Sequence, residues 1–192
     1  MPKNMPTWLI VVLIFVIGFL AYGLLTNSTT EDQKPPAFSE QNGSDAAEAN
    51  TTNNKDVQVA PDFTLTDLDG NSVSLADFKG KNIFLNFFAT WCGPCRAEMP
   101  DLEQIFQNYQ DDDFIVLAVN IGESPSKVED YITANNFTFP VLLDQERTVA
   151  KTYKVSSIPM SFFINEDGVI EYKHLGLLDY EQMTVLVDRL LQ

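Results

Sequence analysis

The only two cysteines of the chain stand in Trp91-Cys92-Gly93-Pro94-Cys95, between an apolar run and a stretch of helical periodicity. Thiols three positions apart can close on each other or on a partner's sulfur, and with no further cysteine a structural disulfide framework is excluded. The natural use of such a pair is reversible dithiol/disulfide chemistry. A zinc site usually has four ligands, and besides the two cysteines the chain offers one histidine, His174, far downstream in a predicted strand. A lone strand histidine is most often structural. An inert buried pair would need neither a strand-to-helix junction nor a Gly-Pro spacer.

The junction itself suggests which sulfur reacts. Asn82-Ile83-Phe84-Leu85-Asn86-Phe87-Phe88 is a nearly unbroken apolar run of strand length, suited to a central strand buried on both faces. After Cys95, the residues Met99, Leu102, Ile105, Phe106 and Tyr109 recur at helical spacing. A strand that delivers Cys92 to the first turn of that helix places its sulfur where unpaired amides and the positive end of the helix dipole stabilise a thiolate. Cys92 is therefore expected to attack and Cys95, on the same helical face, to resolve. Gly93 and Pro94 favour a tight turn between them. Pro100, inside the helix, removes a hydrogen bond to Arg96 and predicts a kink about two turns in.

The remaining elements must carry this junction. Phe63, Leu65, Val73 and Leu75 alternate with polar residues around Leu68-Asp69-Gly70-Asn71, which predicts an opening β-hairpin. Phe114 to Val119 reads as a second buried strand. Ser124-Pro125 opens a helix running to about Asn135. A short strand over Pro140 to Leu143 and a short helix over Glu146 to Tyr153 follow. Met160 to Ile164 pairs with Val169 to Lys173 across Asn165-Glu166-Asp167-Gly168, and Asp179 caps a last helix carrying Met183, Val187, Leu190 and Leu191. The pattern is α/β, a mixed sheet flanked by helices.

Trp8 to Leu25 contains no charged residue over eighteen positions, enough to approach the thickness of a bilayer core. An uncleaved transmembrane signal-anchor is favoured over a signal peptide, whose small-x-small site is met only weakly by Ala21-Tyr22-Gly23. No cysteine follows the run, which excludes acylation there. Lys3 before it, with Glu31 and Asp32 after it, places residues 1–7 in the cytoplasm and the rest outside, where disulfide chemistry is at home. Residues 26–58 are poor in aliphatic side chains and rich in Asn, Thr, Ser, Asp and Glu, the composition of a disordered linker spanning about 30 Å. Residues 59–192 are expected to form the folded domain that carries Cys92 and Cys95. The net charge of −15 argues against nucleic acid and anionic lipid surfaces as partners.

Together with Phe87-Phe88-Ala89 and Ser157-Ile158-Pro159, the cysteine motif resembles the thioredoxin superfamily. Ala60-Pro61-Asp62-Phe63-Thr64-Leu65, Leu85 to Thr90, Glu98-Met99-Pro100 and Phe163-Ile164-Asn165 narrow the resemblance to membrane-anchored ResA and TlpA-like thiol-disulfide oxidoreductases, over about residues 58 to 192. It implies a thioredoxin fold with an added amino-terminal hairpin and an inserted helix-strand element near Ser124 to Leu143. It also implies a cis bond at Ile158-Pro159 beside the disulfide, with Trp91, Ile158 and Pro159 in contact with an extended substrate. Ordinary thioredoxins carry a buried aspartate where this chain has Asn86, so another base is needed. Glu98 matches the acid that the family uses near its active site.

No cofactor or metal is implied. The family's usual substrate is apocytochrome c, whose C-x-x-C-H cysteines must be reduced before haem attachment, with electrons from a membrane thiol carrier of the CcdA or DsbD type. Gly93-Pro94 departs from the family, whose members typically have an acidic residue between the cysteines; this spacer goes with reductants. Three rivals are a reductase serving another process such as spore-envelope assembly, a copper-binding thioredoxin-fold module, and a peroxidase. Copper modules use a longer C-x-x-x-C spacing. Peroxidases need P-x-x-x-T-x-x-C, where this chain has Leu85 and Ala89 in place of Pro and Thr.

Overall fold

A computed structural model describes residues 57–109 and 113–192. Seven strands form one sheet in the order β2-β1-β5-β4-β3-β6-β7. In chain order these are β1 (Thr64–Asp67), β2 (Ser72–Ser74), β3 (Asn82–Phe88), β4 (Phe114–Ile121), β5 (Val141–Asp144), β6 (Met160–Ile164) and β7 (Ile170–Leu175). The helices are α1 (Gly93–Asn108), α2 (Pro125–Asn135), α3 (Thr148–Thr152) and α4 (Tyr180–Leu190). The expected segment Trp8 to Leu25 and the linker up to residue 56 lie outside the described residues. Among the described residues no helix is long and apolar enough to cross a membrane.

β3 is central, parallel to β4 on one side and antiparallel to β6 on the other. All seven of its residues are buried, which explains why its sequence lacks the alternation of a half-exposed strand. Phe84 packs near Phe163, and Phe87 meets Tyr153 and Phe162, so an aromatic core supports the strand that leads to the cysteines. Burying a residue of this size contributes about 1.5–3 kcal/mol. This is why the end of β3 is a firm platform.

The opening hairpin is present, with Gly70 at φ +88° in the turn and Asp67 accepting from the amides of Asp69 and Asn71. It also joins the main sheet, because β1 pairs antiparallel with β5. Leu75 departs from the expected strand. Ser74 and Asp77 form a capping box, and this turns Leu75–Phe78 into a 3₁₀ turn instead of extending β2. Gln58, at the end of the expected linker, already joins the domain: its carbonyl accepts from the Ile170 amide. The inserted helix-strand element is α2 and β5, and β5 pairs parallel with β4. Ser124 precedes α2 as expected, but its side chain makes no cap hydrogen bond; Pro125 at the first position carries the start. Asp179 does cap α4, in a reciprocal capping box with Gln182.

Candidate active site

Cys92 is the N-cap of α1, with extended backbone at φ −78° and ψ 115°. Its Sγ accepts from the Cys95 amide at 3.2 Å, one of the unpaired donors of the helix's first turn. Pro94 fits this turn because its missing N–H would have had no intrahelical partner. The two cysteines are joined in a disulfide with Cα atoms 5.3 Å apart. Cys92 retains 6% exposure while Cys95 has none. The pair is thus asymmetric: one sulfur is at the rim and the other is sealed behind it. The helix continues past Pro100 to Asn108 and buries Met99, Leu102 and Ile105.

An open groove of about 460 Å³ runs beside Cys92, lined among others by Trp91, Ile158, Ser157, Ile121 and Arg147. Trp91 is 62% exposed, a large apolar surface open to solvent. The Ile158-Pro159 peptide bond is cis, as the resemblance implies, and the Ile158 carbonyl oxygen lies 3.8 Å from Cys92 Sγ. Pro159 is buried and the carbonyl it carries accepts from the Gly176 amide at 2.9 Å, which ties this loop to the end of β7. The groove therefore presents a reactive sulfur, an indole and a segment of backbone side by side.

One helical turn past Cys95 lies a buried polar cluster. Glu98 is inaccessible to solvent; its Oε1 accepts from Asn86 Nδ2 at 2.8 Å and its Oε2 from the Leu178 amide at 3.1 Å. Asn86 Nδ2 also donates to Ser161 Oγ at 3.1 Å, and Asn86 Oδ1 has no partner among the described residues. Burial pushes the Glu98 carboxyl up to about 7, with a smaller push from Asp101, against the opposing bonds from Leu178 and Asn86. Asn86 and Glu98 thus meet from β3 and α1, on either side of the cysteine motif in sequence. The resulting carboxyl can take or give a proton near neutral pH.

Glu123 was not evident from the sequence. It is almost fully buried just past the end of β4, and accepts from the Thr90 amide at 2.7 Å, the Thr90 hydroxyl at 2.7 Å and Asn120 Nδ2 at 2.8 Å. Burial works against its ionisation, yet these donors and the charge of Lys127 hold its carboxyl below the ordinary range. The ionised side chain clamps the loop that leads into Trp91 and Cys92. Its one sequence signal is position: Asn120-Ile121-Gly122-Glu123 stands at the carboxyl end of a central strand, where sites in open α/β sheets gather. Nothing in its spacing to the cysteines marks it.

Comparison with known proteins places this geometry. The AhpC/TSA family matches residues 57–173. The thiol-disulfide oxidoreductase ResA of Bacillus thuringiensis subsp. konkukian is 30% identical over 95% of this chain and 95% of its own length. The chain belongs to this family of thiol-disulfide oxidoreductases. ResA of Bacillus subtilis is 40% identical over 58% of this chain and 62% of its own. Among solved structures, StoA from Bacillus subtilis is similar at 32% identity and a TM-score of 0.60, covering 67% of this chain and 98% of that one. A thioredoxin-family thiol:disulfide interchange protein from Chlorobium tepidum is similar at 28% identity and a TM-score of 0.65, covering 71% and 97%. As a member of the family the protein has a thioredoxin-like fold with a redox-active Cys92–Cys95 pair.

Proposed function

We propose that the protein reduces disulfides of extracytoplasmic polypeptides, with Cys92 as nucleophile and Cys95 as resolving thiol. The observation that carries this reading is the asymmetry of the pair: Cys92 sits at the groove and at the first turn of α1, while Cys95 is closed to solvent. In the reduced protein the Cys92 thiolate attacks one sulfur of a substrate disulfide. That bond breaks, the other substrate sulfur leaves as a thiolate and takes a proton, and a mixed disulfide links Cys92 to the substrate. Cys95 then attacks Cys92 Sγ. The Cys92–Cys95 bond forms, the second substrate sulfur leaves, and two electrons have passed to the substrate. Glu98 takes the Cys95 proton in this second step, because a sealed thiol needs a base that is itself unprotonated near neutral pH. Trp91 and Ile158 hold the substrate chain along the groove, and Pro159, buried behind it, fixes Ile158 in place.

The physiological substrate in this reading is apocytochrome c, with reducing equivalents restored by a membrane dithiol carrier of the CcdA or DsbD type. The uncharged run Trp8 to Leu25 would anchor the chain in the cell membrane, amino terminus inside, with residues 26–58 as tether. Reduction for another extracytoplasmic process, such as spore-envelope assembly, would use the same steps. Copper binding is less well supported, since His174 is not among the residues lining the groove beside Cys92. A Cys95→Ser variant tests the scheme. Expressed in cells, it should accumulate a mixed disulfide through Cys92, and the captured polypeptide names the substrate; recovery of no mixed disulfide would count against Cys92 attack.

A further inference from the structure

Arg147 is the single charged residue among the described residues that line the groove beside Cys92. Its placement is built rather than incidental. The backbone of Arg147 is left-handed at φ 58°, an arrangement that non-glycine residues seldom adopt. The buried Asp144 carbonyl accepts both the Arg147 amide at 3.1 Å and the Gly122 amide at 3.0 Å, so one atom ties the two segments together. Gly122, at φ +73°, leaves room for the guanidinium: a Cβ there would stand 2.7 Å from Arg147 Nε and 3.4 Å from Cζ. The guanidinium thus lies against bare backbone at the groove wall.

That group has no hydrogen bond or ion pair to another side chain among the described residues. The molecule is otherwise strongly acidic, with 27 Asp and Glu against 12 Lys and Arg. Such a field repels acidic substrates at long range, so an unpaired cation at the one place where a polypeptide must dock is a local exception to it. Arginine presents a flat fork of donors that matches a carboxylate in two parallel hydrogen bonds and is less tightly hydrated than lysine.

We propose that Arg147 is a specificity-determining residue that receives a carboxylate of the substrate chain beside its disulfide, so that the favoured substrates are polypeptides with Asp or Glu flanking the reactive cysteines. This rests on the reading of the groove as the substrate site and adds to it a substrate class. Ile158 and Trp91 supply apolar contact along the same groove, and Arg147 sets the register of the chain relative to Cys92.

The test uses the full chain, reduced, and two disulfide-closed peptides that differ only in Glu or Gln next to a Cys-Ala-Ala-Cys ring. At low ionic strength the Glu peptide should be reduced about threefold faster or more, and the ratio should fall toward one as salt is added. Arg147→Gln should bring the ratio to about one. Arg147→Lys should keep part of it, and Gly122→Ala should lower it with the arginine still present, because the added methyl displaces the guanidinium. The same peptides with serine for cysteine, titrated onto the full chain and followed by the fluorescence change of Trp91 in the groove, report the preference without thiol exchange. A Glu preference in binding with neither peptide reduced would sink the reductase reading and sustain the role of Arg147. Equal behaviour of the two peptides in both measurements, or a preference that survives Arg147→Gln, overturns the inference.

Discussion

Asn86 Nδ2 donates to Glu98 Oε1 at 2.8 Å where neither side chain reaches solvent. The amide is neutral at every pH, so the titration of this pair belongs to Glu98 alone. Replacing Glu98 by Gln keeps the size of the side chain and removes the proton acceptor. The resolving step should slow by about a hundredfold, the low end of the usual contribution of a general base. The inflection that Glu98 contributes near pH 7 should disappear from the pH profile of kcat/KM. A variant profile that keeps this inflection would assign it to another group.

The same carboxyl governs stability in a defined window. Glu98 moves from an ordinary 4.5 to about 7 on folding, so the folded state holds the proton more tightly by about 3 kcal/mol. That contribution is fully present below about pH 4.5 and is lost as pH rises through about 7. Urea unfolding of the wild type should show stability falling across this interval, and Glu98→Gln should flatten that part of the curve. Parallel curves for the two proteins would contradict the buried, proton-binding state of Glu98.

Glu123 acts with the opposite sign. Its carboxyl is held below the ordinary 4.5, so its contribution is present above that value and is lost as pH falls through the lower folded value. Glu123→Ala leaves the Thr90 amide, the Thr90 hydroxyl and Asn120 Nδ2 without their acceptor. The expected cost is about 2–3 kcal/mol, seen as a lower urea midpoint at unchanged slope. Reduction of a peptide disulfide should slow as well, because Thr90 stands just ahead of Trp91 and Cys92. A midpoint within experimental error of the wild type would show that the carboxylate does not hold this loop.

Much of this is legible along the chain. The unbroken apolar run of β3, the helical stripe through Met99, Leu102 and Ile105, and the capping signal at Asp179 each follow from local periodicity or hydrogen-bonding chemistry, and each appears where expected. Leu75 misleads because the apolar alternation runs through it, while the Ser74–Asp77 capping box that ends the strand depends on side-chain geometry. Cys92 and Cys95 are legible because their chemistry needs only spacing and a helix start. Glu123 and Arg147 are not, since their roles come from neighbours 33 and 25 residues away in sequence, Thr90 and Gly122, which only the packing of β4 against β3 and β5 brings close.

In the proposed scheme the Cys92–Cys95 couple runs as a reductant. Its midpoint potential, measured on the full chain by equilibration with a dithiol buffer of known poise, tests this most directly. A Gly-Pro spacer at a helix start predicts a value near that of thioredoxin, about −270 mV, or lower. A value of about −120 mV, that of a strong disulfide oxidant, would contradict it.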